Sequence, residues 1–94
     1  MEEASLAGPL SLEIRNRRGL HARASARFVT LAGQFDAAVI VSKDGAEVVG
    51  TSIMGLLMLA AACGDCIEVR ATGKDAEAAL KAIAALVESR FGEE

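Results

Sequence analysis

The sequence predicts an α+β open-faced sandwich, in which three helices cover one face of a four-stranded antiparallel sheet. Two observations predict this fold class. Short segments that alternate apolar and polar residues, such as LSLEIR, are typical of half-buried strands. Segments with apolar residues three and four positions apart are typical of helices, and they fall between and after the strands. The resulting order is β-α-β-β-α-β-α.

The first strand is predicted at residues 10–15, where leucine or isoleucine alternates with polar residues. Residues 1–9, which end at Gly8-Pro9, are expected to form a flexible tail. Residues 10–94 are expected to form a single domain, because a chain of 94 residues is long enough for one core and no more.

The first helix is predicted from Ala22 to Leu31, with Gly33 ending it. Its inward residues are expected to be Ala22, Ala26, Val29 and Phe28.

The second half of the chain supplies the remaining elements. Two strands flank Lys43-Asp44-Gly45, a hairpin turn with Asp-Gly at its tip. Ser52 is placed to cap a short apolar helix, IMGLLMLAA, and CIEVRAT is the fourth strand. The last helix begins at Asp75, and its inward residues are expected to be Ala76, Ala79, Leu80, Ile83, Val87 and Phe91.

Composition excludes several function classes. The net charge of −3 and the absence of Trp and Tyr disfavour nucleic-acid binding. The longest apolar run, IMGLLMLAAAC, is about half the length of a membrane span. Because the N-terminus is acidic and carries no signal-like apolar run, we expect a cytoplasmic protein without membrane contact.

Positive charge is concentrated between Glu13 and Asp36, a stretch that holds no carboxylate. Its basic residues are Arg15, Arg17, Arg18, Arg23 and Arg27. This asymmetry favours one basic face for an anionic ligand or an acidic partner over scattered, solvated arginines.

The two cysteines form the motif CGDC at residues 63–66. A redox dithiol of the thioredoxin type follows a strand and opens a helix, whereas this motif closes a helix and precedes a strand. Two sulfur ligands and one distant histidine also do not make a closed zinc site. We therefore interpret Gly64-Asp65 as a turn beside two reduced thiols, and expect no metal and no cofactor.

His21, the only histidine, directly precedes the predicted first helix. Free N–H groups and the positive end of the helix dipole bind phosphate-like anions at such a position, and they favour a neutral, nucleophilic ring. Arg23 offers a planar fork of donors to phosphoryl oxygens. No acid follows His21 before Asp36, which favours holding a phosphoryl group over hydrolysing it. A helix-capping histidine is the alternative.

The stretch GLHARASARFV resembles the active-site signature of the histidine-containing phosphocarrier protein (HPr) family of the phosphoenolpyruvate-dependent phosphotransferase system. Residues 19–23 match the first five positions of the family pattern Gly-Leu-His-Ala-Arg-Pro-Ala. The segment TSIMGLLML resembles the family's Ser-Ile-Met-Gly-Leu segment. The similarity covers roughly residues 10–91 and implies the HPr fold, whose element order is the one predicted above.

The resemblance implies that His21 takes a phosphoryl group on Nδ1 from phosphorylated Enzyme I and passes it to a IIA-type domain, with Arg23 stabilising the group. The chain would be a stoichiometric carrier that forms a covalent phosphohistidine, and not an enzyme. Ala24 stands where the family has proline. Alanine there gives up roughly 0.4–1 kcal/mol of unfolded-state entropy advantage, and we expect transfer to survive with altered rates.

Ser52 matches the regulatory serine of the family, the substrate of HPr kinase/phosphorylase in lineages that have that enzyme. A phosphate there is expected to oppose docking of an acidic partner near His21. Thr51 stands where the family often has lysine, which leaves recognition by the kinase open. As an N-cap alone, Ser52 would contribute about 1 kcal/mol to stability.

The resemblance also implies a docking surface for partners. Its apolar part would be Ile53, Met54 and Leu57, with a basic rim supplied by arginines. The remaining contact residues are expected to be Arg17, Leu20, Ala24 and Arg27, with Arg23 also on the rim. A single-site relay of this kind needs only a monomer.

Two alternatives remain from the sequence. One is a regulator that keeps the fold and signals mainly through phosphorylation of Ser52, as in a nitrogen-type branch of the system. The other is a dithiol redox protein. The presence of both His21 and Arg23 favours the carrier over either.

Overall fold

The computed structural model describes residues 5–93. Its elements are β1 (Ser5–Glu13), α1 (Ala22–Ala32), β2 (Ala38–Lys43), β3 (Ala46–Val49), α2 (Ile53–Leu59), β4 (Cys66–Gly73), α3 (Ala76–Glu88) and a 3₁₀ turn (Arg90–Gly92). Within these residues the strands form one antiparallel sheet in the order β1-β4-β2-β3, so that β1 and β3 are its edges. The predicted fold class and element order are confirmed.

The sheet has one buried and one exposed face. In β4, Ile67, Val69 and Ala71 are buried, whereas Glu68 and Arg70 between them are exposed. The helices cover the buried face, because their apolar sides share one core with it. The largest members of this core outside β4 are Leu12, Ile14, Leu20, Phe28, Val39, Val41, Leu56, Leu59, Ile83, Val87 and Phe91.

Helix α1 buries a different stripe from the predicted one. Ala24, Phe28 and Ala32, four positions apart, are fully buried. Of the residues expected to face inward only Phe28 does so completely, and Ala22 is exposed. The burial of the single aromatic ring of α1 sets the rotation of the helix, and the alanines one turn on either side allow close packing.

The predicted flexible tail is wrong over residues 5–9, which belong to β1; residues 1–4 lie outside the described residues. Residues 5–7 pair with residues 71–73 of β4, and the register then shifts between Ala7 and Leu10. Gly8 at a positive φ of 89° and Pro9, which has no N–H, suit a bulge. Gly8-Pro9 therefore marks a bulge inside an edge strand and not the boundary of a tail.

The turns and caps follow local sequence closely. Asp44 and Gly45 both have positive φ (52° and 86°), as the two-residue hairpin turn requires. Ser52 caps α2, since its Oγ accepts a hydrogen bond from the N–H of Gly55 at 3.0 Å. Helix α3 begins at Ala76, directly after Asp75.

No helix within residues 5–93 has the length and apolar character needed to cross a membrane. The most apolar helix, α2, is seven residues long. The same described part of the chain contains no group of three or more histidine, cysteine and carboxylate side chains that could hold a metal ion.

The loop between β1 and α1 is held against the chain that follows α2. The N–H of Leu20 donates to the carbonyl oxygen of Ala61 at 2.9 Å. Gly19 has a φ of 68°, and a Cβ at this position would lie 2.5 Å from the same carbonyl oxygen. Because only glycine avoids this overlap, Gly19 fixes the path by which the chain enters α1.

Gly19→Ala should lower the free energy of unfolding by more than Gly45→Ala does. Both glycines have positive φ, so each substitution adds roughly 1–2 kcal/mol of backbone strain. Only at Gly19 does the added Cβ meet backbone atoms, which adds roughly 1–3 kcal/mol. At Gly45 nothing lies within 4 Å of the added atom. Urea unfolding measures both variants, and equal losses of stability would contradict the tight contact at Gly19.

Candidate functional site

His21 occupies the N-cap position of α1, with an extended backbone (φ −74°, ψ −179°). Its Nδ1 accepts a hydrogen bond from the backbone N–H of Arg23 at 3.2 Å. Its carbonyl oxygen accepts from the N–H of Ser25 at 2.9 Å, which is the first helical hydrogen bond. The first turn of this 11-residue helix holds no acidic residue. The free donors and the positive end of the helix dipole therefore face the imidazole.

The other ring nitrogen of His21 contacts a carboxylate. Nε2 lies 2.5 Å from Oε2 of Glu93, and both side chains are mostly buried, with 16% and 18% of their surface exposed. Because Nδ1 accepts a hydrogen bond, the ring proton is on Nε2, which donates it to Glu93. The two contacts together leave the Nδ1 lone pair facing the helix N-terminus.

Glu93 is held in place by two groups from other parts of the chain. Nδ2 of buried Asn16 donates to Oε1 of Glu93 at 3.1 Å and to the carbonyl oxygen of Gly19 at 2.7 Å. The guanidinium of Arg27 donates to the carbonyl oxygen of Phe91, whose ring is fully buried. The segment after α3 is thereby anchored against α1 and the loop before it.

The Glu93 carboxyl is stabilised in its ionised form. Burial opposes ionisation, but hydrogen bonds from Asn16 and His21 and the nearby charge of Arg27 outweigh it, so the pKa of Glu93 lies below its ordinary value of 4.5. A lowered folded-state pKa means that the contribution to stability is present in neutral solution. It is lost as the pH falls through the folded-state pKa of Glu93.

A basic cleft adjoins the histidine. Arg17, Arg18 and Arg23 line this cleft of about 260 Å³ together with Glu93. All three arginines are exposed. Within residues 5–93 the Arg23 guanidinium forms no ion pair, so its donors are available. The predicted concentration of positive charge thus lies beside the ring of His21.

Helix α2 presents an apolar surface to solvent. Ile53, Met54 and Met58 are 41%, 67% and 76% exposed, and we call these three residues the α2 patch. Leu57, predicted to belong to the docking surface, is half-buried, so it contributes less exposed apolar area than the residues of the α2 patch. Ser52, at the N-terminus of the same helix, is also half-buried.

Two of the predicted contact residues cannot line a surface. Leu20 is 4% exposed and Ala24 is 0% exposed, because both side chains belong to the core. Leu20 points inward where its backbone is bound to Ala61, and Ala24 lies one turn before Phe28 on the buried stripe of α1. Arg27 is exposed, but one nitrogen of its guanidinium donates a hydrogen bond to the Phe91 carbonyl oxygen. Among the predicted basic rim residues, Arg17 and Arg23 are the ones that line the cleft.

Three residues of the site area were not predicted. Glu93 and Asn16 contact the ring or its carboxylate partner, and Met58 is the most exposed member of the α2 patch. The contact between His21 and Glu93 spans 72 positions of sequence, and no motif near either residue indicates it. Apolar spacing in α2 could have indicated Met58, since it lies four positions after Met54.

The two cysteines are free and exposed. Between them Gly64 has a φ of 95°, and Asp65 Oδ2 accepts a hydrogen bond from the N–H of Ala62 at 2.9 Å. These features are those of a tight turn between α2 and β4, as the sequence predicts.

Known proteins resemble this chain over most of its length. Residues 10–89 match the family described as PTS HPr component phosphorylation site. The chain is 49% identical over 83 residues to the phosphocarrier protein HPr of Neisseria meningitidis, a match covering 88% of this chain and 93% of that one. It is 44% identical over 85 residues to the phosphocarrier protein NPr of Escherichia coli, covering 89% and 94%.

A solved structure of similar fold is HPr from Thermoanaerobacter tengcongensis, with a TM-score of 0.87 and 44% identity over 90% of this chain and 96% of that chain. The family match includes both the GLHAR signature and the TSIMGL block. The resemblance identified from those two motifs is confirmed: the chain belongs to the HPr family of phosphocarrier proteins.

Proposed function

We propose that this protein accepts a phosphoryl group on Nδ1 of His21 from phosphorylated Enzyme I and donates it to a IIA-type domain. The observation that carries the proposal is the orientation of the ring. Its Nδ1 lone pair faces the free N–H groups at the start of α1, beside a cleft lined by arginines. A phosphoryl group on Nδ1 would therefore lie where backbone donors and positive charge stabilise it.

In the accepting step the Nδ1 lone pair forms the N–P bond. The bond between phosphorus and the donor atom of Enzyme I breaks, and its electron pair returns to that atom. Arg23, whose planar guanidinium forms no ion pair with the described residues 5–93, stabilises the charge on the phosphoryl oxygens. Transfer to the acceptor domain is the same step in reverse, with a new nucleophile.

The surroundings of His21 suit retention of the phosphoryl group over its hydrolysis. Among residues 5–93 the carboxylate bound to the ring is that of Glu93, which accepts hydrogen bonds on both of its oxygens, from Asn16 and from His21. It is therefore occupied and lies on the Nε2 side, away from the position of an attacking water. The protein acts as a stoichiometric carrier in this proposal, and turnover belongs to its partners.

Partners would dock over the α2 patch and the arginines of the cleft. An apolar centre with a charged rim is typical of protein interfaces, and a patch of three side chains suits a small, short-lived one. An acidic partner surface complements Arg17, Arg18 and Arg23. The two free thiols are typical of the cytoplasm, which is where we place these encounters.

Ser52 is the proposed regulatory position, as a substrate of HPr kinase/phosphorylase. It is half-buried at the start of α2, directly before Ile53 and Met54 of the α2 patch. A phosphate there would place negative charge beside the surface that an acidic partner contacts. The alternative is a regulator that signals mainly through Ser52 in a nitrogen-type branch; relatives named HPr and NPr match at similar identities, which does not favour this alternative.

His21→Ala should abolish phosphate acceptance and leave the fold intact. The imidazole is the proposed acceptor, and its side chain lies at a helix end and not in the core. Incubation with labelled phosphoenolpyruvate and Enzyme I measures acceptance, and circular dichroism measures the fold. Wild type should carry an acid-labile, alkali-stable label that the variant lacks. Label on a folded His21→Ala variant would contradict the assignment, and so would an unlabelled wild type.

Ser52→Asp should slow acceptance from Enzyme I, while Ser52→Asn should not. Both side chains cap α2 well, so the pair differs in charge alone. One close like-charge pair in water is worth about 1 kcal/mol, which corresponds to about a 5-fold slower rate.

The slowing should shrink at high ionic strength, because salt screens exposed charges. Equal rates for the Asp and Asn variants in dilute buffer would remove the proposed electrostatic role of Ser52.

A further inference from the structure

We propose that Glu93 is a positioning residue for phosphoryl transfer: its carboxylate binds Nε2–H of His21 and thereby holds Nδ1 toward the helix N-terminus. This inference rests on the proposed function of His21. It adds a residue that lies outside the GLHAR signature and outside residues 10–89 that match the family.

The contact fixes both the tautomer and the orientation of the ring. A neutral imidazole carries its proton on one nitrogen only. With Nε2 donating to Glu93 at 2.5 Å, Nδ1 is left as the unprotonated nitrogen, and it accepts from the Arg23 N–H at 3.2 Å. Without Glu93 the ring would exchange between two tautomers and could rotate about its side-chain bonds. Only one of these states presents a nucleophilic Nδ1.

Glu93 is itself restrained well enough to position another residue. Its Oε1 accepts from Asn16, a side chain that is 1% exposed and also binds Gly19 in the loop before His21. The backbone two residues earlier is fixed by the buried ring of Phe91 and by the Arg27 guanidinium on its carbonyl. The carboxylate is therefore tied to the loop, to α1 and to the core together.

The carboxylate also assists the chemistry without taking part in proton transfer. When Nδ1 forms its bond to phosphorus, the ring gains positive charge while the proton stays on Nε2. An ionised carboxylate hydrogen-bonded to Nε2 stabilises that charge. Nδ1 and Nε2 lie on different sides of the ring, so the carboxylate does not occupy the space of the phosphoryl group.

The charged groups around Glu93 support this role. Asn16 and His21 donate to it, and Arg17, Arg18 and Arg23 line the same cleft. Burial opposes ionisation, but the hydrogen bonds from Asn16 and His21 and the nearby charge of Arg27 outweigh it and lower the pKa of Glu93. It therefore remains an anion at the pH at which a carrier works.

The test compares the full chain with Glu93→Ala, Glu93→Gln and, as the matched control, Glu88→Ala. Glu88 is an exposed acid at the end of α3, and within residues 5–93 the hydrogen bonds of the His21 ring go to Glu93 and Arg23, not to Glu88. Two readouts are used for each protein. One is the ¹⁵N shift of each ring nitrogen of His21 in mildly alkaline solution. The other is the rate of acceptance from phosphorylated Enzyme I as a function of carrier concentration.

Glu93→Ala should mix the two ring tautomers and lower the maximal rate roughly 10-fold, with little change in KM, because Glu93 orients the nucleophile and exposes only 18% of its side chain to a docking partner. Glu93→Gln should keep the Nε2–H tautomer, since its amide oxygen still accepts, and should retain an intermediate rate because the negative charge is gone. Glu88→Ala should behave as wild type in both readouts.

Each contrary result has a distinct meaning. Wild-type ring shifts and rate in Glu93→Ala would overturn the positioning role while the carrier function stands. A faster rate in Glu93→Ala would also overturn it, and would make the carboxylate an inhibitory contact. An equal slowing in Glu88→Ala would also overturn the positioning role, because the slower rate would then follow from the loss of any negative charge in this part of the chain. If wild type takes no phosphate, the proposed function fails and this inference falls with it.

Discussion

The imidazole of His21 is hydrogen-bonded at both of its nitrogens, and the two partners come from parts of the chain that are far apart in sequence. On one side Arg23 offers a backbone N–H because α1 begins at this point and not a residue earlier or later. On the other side Glu93 arrives from the segment after α3, held by the burial of Phe91. The position of the proposed acceptor nitrogen thus depends on how α1 and α3 pack against each other within the core.

The charges of the molecule are arranged around this ring. The chain is acidic, with a net charge of −3, yet three arginines gather at one cleft beside the start of α1. In the proposed function, a phosphoryl group arriving on an acidic partner would be attracted by this local field, which the net charge does not reveal. Glu93 places one negative charge in the same cleft, on the Nε2 side of the ring. The arginines that would attract an anion and the carboxylate that would stabilise a positively charged ring therefore lie at different places around His21.

The helices and strands, and His21 as the candidate acceptor, could be predicted from the sequence because each depends on residues that are close together in the chain. Alternation and helical spacing report which residues face the core, and the GLHAR signature lies within one loop and one helix turn. The same reasoning missed the strand residues 5–9, since a Gly-Pro pair marks a bulge as well as a boundary. Burial of Ala24 depends on the rotation of α1, which places it on the same stripe as Phe28, and Leu20 is buried where its backbone binds Ala61.

Glu93 could not be predicted for a different reason. Its proposed role depends on a contact with His21, which lies 72 positions earlier in the sequence. Nothing in the polar segment around Glu93 indicates which residue its carboxylate binds. The contribution of Asn16 could not be predicted for the same reason. In the sequence it is part of the polar segment that ends β1, and its hydrogen bonds to Gly19 and Glu93 exist only in the folded structure.

The most direct test of the central claim locates the phosphorus atom on the phosphorylated protein. Full-length chain labelled with ¹⁵N and phosphorylated through Enzyme I is measured by NMR for coupling between phosphorus and each ring nitrogen. We predict coupling to Nδ1 of His21, with Nε2 still protonated. Coupling to Nε2, or phosphate found only on Ser52, would contradict the assignment of Nδ1 at the start of α1 as the acceptor.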